Sequence, residues 1–452
     1  MVFNSVYFLF VFLPITLILY YLMPARLKNV LLVIVSFIFY AWGKPSSVIF
    51  LLFAAGFNYL SGIEIEHLKI SKHQDIALKI LIASAAANIL LLAAFKYFVD
   101  GMPVGMSFFT FTVLSYLFDV YGDRTGAQRN PVNFLLYVSF FPKLLSGPIV
   151  QYADMEAQLS GRKADLDKIM DGSVLFLVGL GKKVLLADAL GAGFALLSQA
   201  EKSVLGAWLM MIFYSLQLYF DFSGYSDMAI GLSSMFGFEF EKNFDHPYMS
   251  LSISEFWRRW HISLGNWFKQ YVYFPMGGSR VPGLLILRNL LVVWILTGIW
   301  HGNTFCFVIW GLYHGLFVIL ERFVIKDRFD GFPVAFRRLA TCFIAGIGWI
   351  FFFSPTLPEA FGVILSMFGG AALVTRTAVY VLRNYFLLLV AGIIGCTSLG
   401  SFLWKRLFYE NNMGLNEHVL TLIVIVLRLG LLALCTASMI GSTYTSFLYF
   451  KF

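Results

Sequence analysis

Apolar runs of about membrane-spanning length follow one another along almost the whole chain, and no polar stretch between them is long enough to build a water-soluble domain. They lie at 2–23, 27–43, 45–63, 76–99, 172–199, 204–222, 284–301, 304–325, 335–354, 378–400 and 419–440. A helix that crosses a bilayer needs about 20 mostly apolar residues, because lipid leaves no outside partner for its backbone. Some runs are short or adjacent, so the pattern predicts an all-α polytopic membrane protein with about 9–12 transmembrane helices. Only 13% of the 452 residues are charged, about half the usual share in a soluble domain. A single membrane-embedded unit over 1–452 is therefore expected.

The remaining composition narrows the partners. Cys306, Cys342, Cys396 and Cys435 all sit inside apolar runs without metal-type spacing, and they read as small buried hydrophobes, with no metal expected. The net charge of +8 does not imply nucleic acid, because Lys and Arg fall mostly between apolar runs, where they meet membrane lipids and set topology. The first run has neither a basic leader nor a small-residue cleavage site, so it is expected to remain as a spanning helix. Arg26 and Lys28, then Lys69, Lys72 and Lys79, would face the cytoplasm if the N-terminus faces outward. Segments 103–121 and 131–150 are apolar but punctuated by Pro103, Pro131, Pro142, Gly147 and Pro148. Such breaks predict short or re-entrant helices around an internal chamber.

Three stretches carry chemistry. Over Ser252–Tyr271, a helical wheel puts Phe256, Trp260, Leu264, Trp267 and Tyr271 on one arc, beside Trp257 and Phe268. Ser254, Arg258, Gly265 and Lys269 fall opposite, with His261 at the boundary, which reads as one amphipathic interfacial helix. Arg258, Arg259, Lys269, Arg280 and Arg288 are offset there by Glu255 alone. Either they anchor to lipid phosphate, or they form a basic surface for a phosphate-bearing donor such as coenzyme A or a phosphopantetheine on an acyl carrier protein. In Leu296-Thr-Gly-Ile-Trp-His-Gly-Asn-Thr304, His301 lies between two apolar runs and is flanked by Gly298 and Gly302. A neutral imidazole is the cheapest ionisable group to bury and stays a proton acceptor, yet position alone favours a packed structural histidine over a catalytic one. On a continuous helix His314 would lie roughly 20 Å further along, so it reads as structural and apart from His301. The third stretch, Gln217–Met228, places Asp221 and Asp227 among Ser223, Tyr225 and Ser226 at the end of an apolar run, where a capping turn explains it without function.

Several motifs in order along the chain resemble the bacterial membrane-bound O-acyltransferases, in the branch with the alginate O-acetylation membrane protein. They are Pro103-Val-Gly-Met-Ser-Phe-Phe-Thr-Phe, Phe140-Phe-Pro-Lys-Leu-Leu-Ser-Gly-Pro148, Asp221-Phe-Ser-Gly-Tyr-Ser-Asp-Met-Ala-Ile-Gly231, Phe256-Trp-Arg-Arg-Trp-His-Ile-Ser-Leu264, Tyr273-Phe-Pro-Met-Gly-Gly278, Gly298-Ile-Trp-His-Gly302 and the ending Phe447-Leu-Tyr-Phe-Lys-Phe452. The resemblance implies that His301 is the catalytic base and that His261 is its partner or a positioning residue, the two flanking a central tunnel. It makes Trp257, Arg258, Arg259, Trp300, Asn303 and Asp221 candidates for holding substrate or donor. It implies acetyl-CoA or an acyl-carrier thioester as donor, no bound cofactor, and a bacterial cytoplasmic (inner) membrane location. It also implies an extracytoplasmic acetyltransferase partner that passes the group to alginate, cellulose or peptidoglycan. Lys143 stands where a neutral amide is commoner, and Gly265 where a small hydroxyl often follows, which leaves the acceptor open. Two other readings stand beside this one: a transporter or flippase using His261 and His301 as a proton relay, and a scaffold in which both are merely packed.

Overall fold

The computed structural model describes residues 1–99, 101–163, 165–410, 414 and 416–441. The Phe447–Phe452 ending lies outside them. Among the described residues the regular elements are helices, and the only bridge of strand type joins Ser203 to Ala372. Among the described residues, eight helices are long and apolar enough to cross a bilayer: Ser47–Ile70, Gln74–Tyr97, Val204–Met235, Gly283–His301, Phe305–Ile325, Val334–Phe353, Arg376–Gly395 and Glu417–Gly441. The other apolar runs form shorter helices, such as Phe8–Leu22 and Met106–Tyr121, or composite ones. Run 172–199 is one of these, built of Leu166–Gly181, a π-helical Lys182–Ala187 and Asp188–Ser198. Cys435 is the one buried residue of the apolar helix Glu417–Gly441, so most of that helix needs lipid as its solvent. The chain is a polytopic, all-α membrane protein.

One expected boundary moves. The run at 204–222 does not close at the polar stretch Gln217–Met228, because helix Val204–Met235 continues through it. The polar groups that suggested a cap are accommodated inside a helix, and Asp221 is satisfied by Lys183, whose Nζ lies 2.7 Å from its Oδ1.

By their internal contacts the described residues form two compact units. The first comprises Met1–Phe176 with Tyr225–Lys242. Phe3, Phe8, Phe12, Phe39 and Phe141 pack ring against ring at its centre, with centroids 5.1–6.4 Å apart. Asn58 of Ser47–Ile70 and Asn88 of Gln74–Tyr97 exchange side-chain amide hydrogen bonds of 3.0 and 2.8 Å, so neither buried amide is left unpaired. The predicted broken segment is present as Pro131–Ser139 and Phe141–Leu144. Asn130 caps the first piece, accepting from Val132 N at 2.9 Å. At the break, Phe141 N donates to Ser36 Oγ at 3.0 Å, which supplies the partner that an interrupted backbone requires away from water. Lys143 is buried 4.5 Å above the Tyr137 ring.

The second unit comprises Leu177–Gly224 and the described residues from Asn243 to Gly441. Its tightest pairing is the hairpin of Gly283–His301 and Phe305–Leu320. A Cβ on Gly298 would lie 2.5 Å from Phe307 O, and one on Gly311 would lie 3.3 Å from Gly298 Cα. Any side chain at either position would force the helices apart. Helices gain little from hydrophobicity in lipid, so such small-residue contacts hold them.

Candidate active site

His301 is the last residue of helix Gly283–His301, and Gly302 leaves the helix in extended backbone. The chain then reverses, and Phe305–Leu320 returns alongside. Phe307 is brought so close that a Cβ on Gly302 would collide with its ring. Glycine on both sides of Trp300-His301 is thus a packing requirement of the hairpin that presents the histidine. The imidazole is 4% exposed and lies among Trp300, Trp310 and Phe352 at centroid distances of 4.7, 4.8 and 5.2 Å. The same reversal corrects the separation expected for His314. Trp310 packs on both rings, 4.8 Å from His301 and 5.4 Å from His314. His314 is fully buried with Trp257 at 4.8 Å, and neither of its nitrogens has a hydrogen-bond partner among the described residues.

His261 sits in a different local structure from the one its periodicity suggests. The expected single helix over Ser252–Tyr271 is broken into Ile253–Arg259 and Ile262–Phe268, followed by a π-helical Lys269–Tyr273. His261 occupies the break in left-handed backbone, φ +46°, a conformation costing about 1–2 kcal/mol for a residue with a side chain. Its surroundings impose that cost. Ser252 Oγ caps the first piece, accepting from Glu255 N at 3.1 Å, while Glu255 Oε2 accepts from Leu251 N at 2.8 Å, one residue before the cap, and the two bonds fix the entry. Glu321 adds a second cap, accepting from Ile253 N and Ser254 N at 2.6 and 2.8 Å. At the break, Ile262 N donates to Asn243 O at 2.9 Å.

The side chain of Asn243 settles the histidine's tautomer. Its Oδ1 accepts from Ser263 N at 3.1 Å and from Ser263 Oγ at 2.9 Å, and a backbone N–H can only donate. The third contact, His261 Nδ1 at 3.2 Å, must therefore also be a donor. That leaves the lone pair on Nε2, which has no partner among the described residues. Burial pushes the imidazole pKa down to about 3, so the ring is neutral at physiological pH and Nε2 is an acceptor. Phe222 holds the ring edge-on at 4.6 Å.

Both histidines line one cavity of about 180 Å³, walled by Trp257, Trp260, Trp294 and Thr297. The Trp257 indole N–H has no partner among the described residues. A buried donor and a buried acceptor are thus left open in residues lining the same cavity, which is what a site awaiting a polar ligand presents. Lys269 is exposed and lines it too, placing one cation at its rim.

The other sequence candidates are placed elsewhere. Arg258 and Asn303 are exposed. Arg259 pairs with Glu255 at 2.7 Å. Trp300 packs against His301 from outside the cavity lining. Asp221 belongs to a buried ion triad with Lys183 and Asp188. Sequence reasoning passed over Asn243, Trp294, Thr297 and Trp310. Thr297 carried a usable signal, being one helical turn before His301 in the same motif. Asn243 carried none, since it reaches His261 from 18 residues away.

Comparison with known proteins gives the family. The family model described as MBOAT, membrane-bound O-acyltransferase family, matches residues 104–357. The chain is 39% identical over 397 residues to the "Probable alginate O-acetylase AlgI" of Azotobacter vinelandii, covering 81% of this chain and 78% of that protein. It is 33% identical over 424 residues to the peptidoglycan O-acetyltransferase of Helicobacter pylori, covering 82% and 80%. It is 31% identical over 238 residues to the teichoic acid D-alanyltransferase of Bacillus subtilis, covering 49% and 60%. The transporter and scaffold readings are set aside: this chain belongs to the membrane-bound O-acyltransferase family and is an O-acyltransferase.

Proposed function

We propose that this enzyme takes an acetyl group from a cytoplasmic thioester, acetyl-CoA or an acetylated carrier protein, and passes it across the bacterial cytoplasmic membrane for O-acetylation of an exopolysaccharide or wall polymer. An extracytoplasmic acetyltransferase partner receives the group. The observation that carries this reading is the placement of His261 and His301, from separate elements, on one tryptophan-walled cavity. The relatives named for alginate and peptidoglycan O-acetylation support the acetyl group and the polymeric acceptor.

His301 acts as general base. It takes the proton of the acceptor hydroxyl as the oxygen attacks the thioester carbonyl, the carbon–sulfur bond breaks, and the departing thiolate recovers that proton. His261 Nε2 accepts a hydrogen bond from a substrate donor, and the Trp257 N–H donates to the carbonyl oxygen as charge develops there. The apolar walls keep water from competing with the hydroxyl. Arg258, Arg259, Trp300 and Asn303 act around this centre in donor positioning, and Lys269 meets the donor's phosphates at the rim.

The test uses purified protein in nanodiscs with radiolabelled acetyl-CoA, or an acetylated carrier protein as second donor. His301→Ala is expected to lower transfer by about 10²–10⁴-fold, the usual contribution of a general base, while its melting temperature stays near that of the wild type. Equal transfer by a folded mutant would reduce His301 to a packing residue.

A further inference from the structure

A second cavity, in the first compact unit, has a chemistry that the histidine cavity does not account for. It measures about 340 Å³ and is lined by Arg26, Lys28, Arg162, Asn29 and Ser160 among others, with no carboxylate in its wall. Tyr20 forms its floor between two of the cations. Lys28 Nζ is 4.6 Å from the Tyr20 ring centroid and Arg162 Cζ is 5.8 Å from it. The protein holds Arg162 from behind: its Nε donates to Tyr20 Oη and to Phe236 O, both at 3.1 Å, and its guanidinium lies 4.3 Å from the Phe238 ring centroid. Asn29 Nδ2 is committed to Asn133 Oδ1 at 2.7 Å and Leu159 O at 2.8 Å, which fixes the wall between them.

None of the three cations has an ion-pair partner among the described residues. The side chains of Arg26 and Lys28 also make no hydrogen bond among the described residues. The nearby Asp165 is used to cap the following helix, through Lys168 N at 2.9 Å. Three like charges around one cavity repel one another, and an anion entering between them would relieve that repulsion. Holding Arg162 on three protein acceptors, the third being Gln158 O at 3.4 Å from Nη1, and on the Phe238 ring fixes its place in the array before any ligand arrives.

The position selects the ligand. The cavity lies at the turn where helix Leu13–Leu22 ends and Lys28–Ala41 begins, and its Arg26 and Lys28 with Tyr20 and Tyr21 are the residue types that mark the headgroup level of a membrane. By the positive-inside rule Arg26 and Lys28 mark the cytoplasmic leaflet, where anionic lipids concentrate. We propose that this cavity binds a phosphate group, presented either by an anionic phospholipid headgroup or by the nucleotide end of a coenzyme A thioester. The second source rests on the donor proposed above; the first does not.

Two arms on the full chain separate the sources. In the first, nanodiscs of phosphatidylcholine carry spin-labelled phosphatidylglycerol, and the protein-immobilised fraction is read. In the second, nanodiscs of phosphatidylcholine alone are titrated with adenosine bisphosphate, the nucleotide end of coenzyme A. The variant Arg26→Gln/Lys28→Gln removes two cations that make no protein hydrogen bond, so the scaffold should survive. Affinity is expected to drop at least about tenfold in one arm, since two charge-assisted contacts to phosphate are lost. The arm that responds names the ligand. Lys28→Arg, which keeps the charge, should bind like the wild type, as should Lys163→Gln, an exposed neighbour outside the cavity lining. The proposal is overturned if the double variant binds both probes as the wild type does, or if Lys163→Gln loses as much as the double variant.

Discussion

Two of the places where the second unit buries polar side chains treat them in opposite ways. At the ion triad, Lys183 is wholly buried, with its Nζ 2.6 Å from Asp188 Oδ1 and 2.7 Å from Asp221 Oδ1. Charge is closed against charge. At the histidine cavity no carboxylate lines the wall; His261 is neutral, and one of its nitrogens is fixed while the other stays open. Burial alone therefore does not mark function in this protein. What separates the two places is whether a polar atom is closed by the protein or left facing space that a ligand can fill.

That contrast is broken most forcefully at Lys183. Lys183→Met strands two carboxylates in apolar surroundings and is expected to cost about 3–5 kcal/mol, read as loss of the folded peak in size-exclusion chromatography and a lower melting temperature. Lys183→Met combined with Asp188→Asn and Asp221→Asn removes every charge of the triad. It should recover most of the stability and keep acyl transfer within a few-fold of wild type. A folded but inactive triple variant would place Asp221 in the reaction after all and end the distinction between the two sites.

A smaller effect is expected at Asn243. Asn243→Ala removes the acceptor that fixes the His261 tautomer and leaves Ser263 N and His261 Nδ1 without that partner, at a cost of about 1–3 kcal/mol. Acyl transfer should fall about tenfold or more on that energy scale, mainly in kcat. Asn243→Asp keeps an acceptor in place and should restore part of the rate, with an altered pH profile because a charge now faces the imidazole. Equal losses in both variants would mean that Asn243 only packs and that the tautomer plays no part.

How much of this was legible beforehand varies with the range of the interaction concerned. The apolar runs foretold most of the helices, because the bilayer imposes length and hydrophobicity on each segment separately. Pro131 and Pro142 foretold the broken segment for the same local reason, although the Ser36 hydroxyl that makes the break tolerable comes from another helix. The glycines around His301 signalled close approach, but what approaches is Phe307 of the returning helix. The kink at His261 was hidden, because two short helices in succession preserve the aromatic spacing of one long one. The triad was hidden too: Asp221 looks like a helix end until Lys183, 38 positions earlier in the chain, is brought against it.

The finest distinction concerns two cations on the same stretch. Arg258 is exposed and absent from the cavity lining, whereas Lys269 is exposed but lines it. Neither has a packing role large enough to threaten the fold, and surface substitutions of this kind usually change stability by less than about 0.5 kcal/mol. Their effect should appear instead in the donor's KM. An exposed charge pairing with a phosphate is worth about 0.2–1 kcal/mol, so Lys269→Gln should raise the KM for acetyl-CoA by about two- to fivefold. Added salt should erase the difference by screening the wild-type attraction. Arg258→Gln, further from the cavity, should raise KM less at every ionic strength. If Arg258→Gln has the larger effect, the donor's phosphates lie on the outer face of helix Ile253–Arg259, and the approach to the cavity must be redrawn along that face.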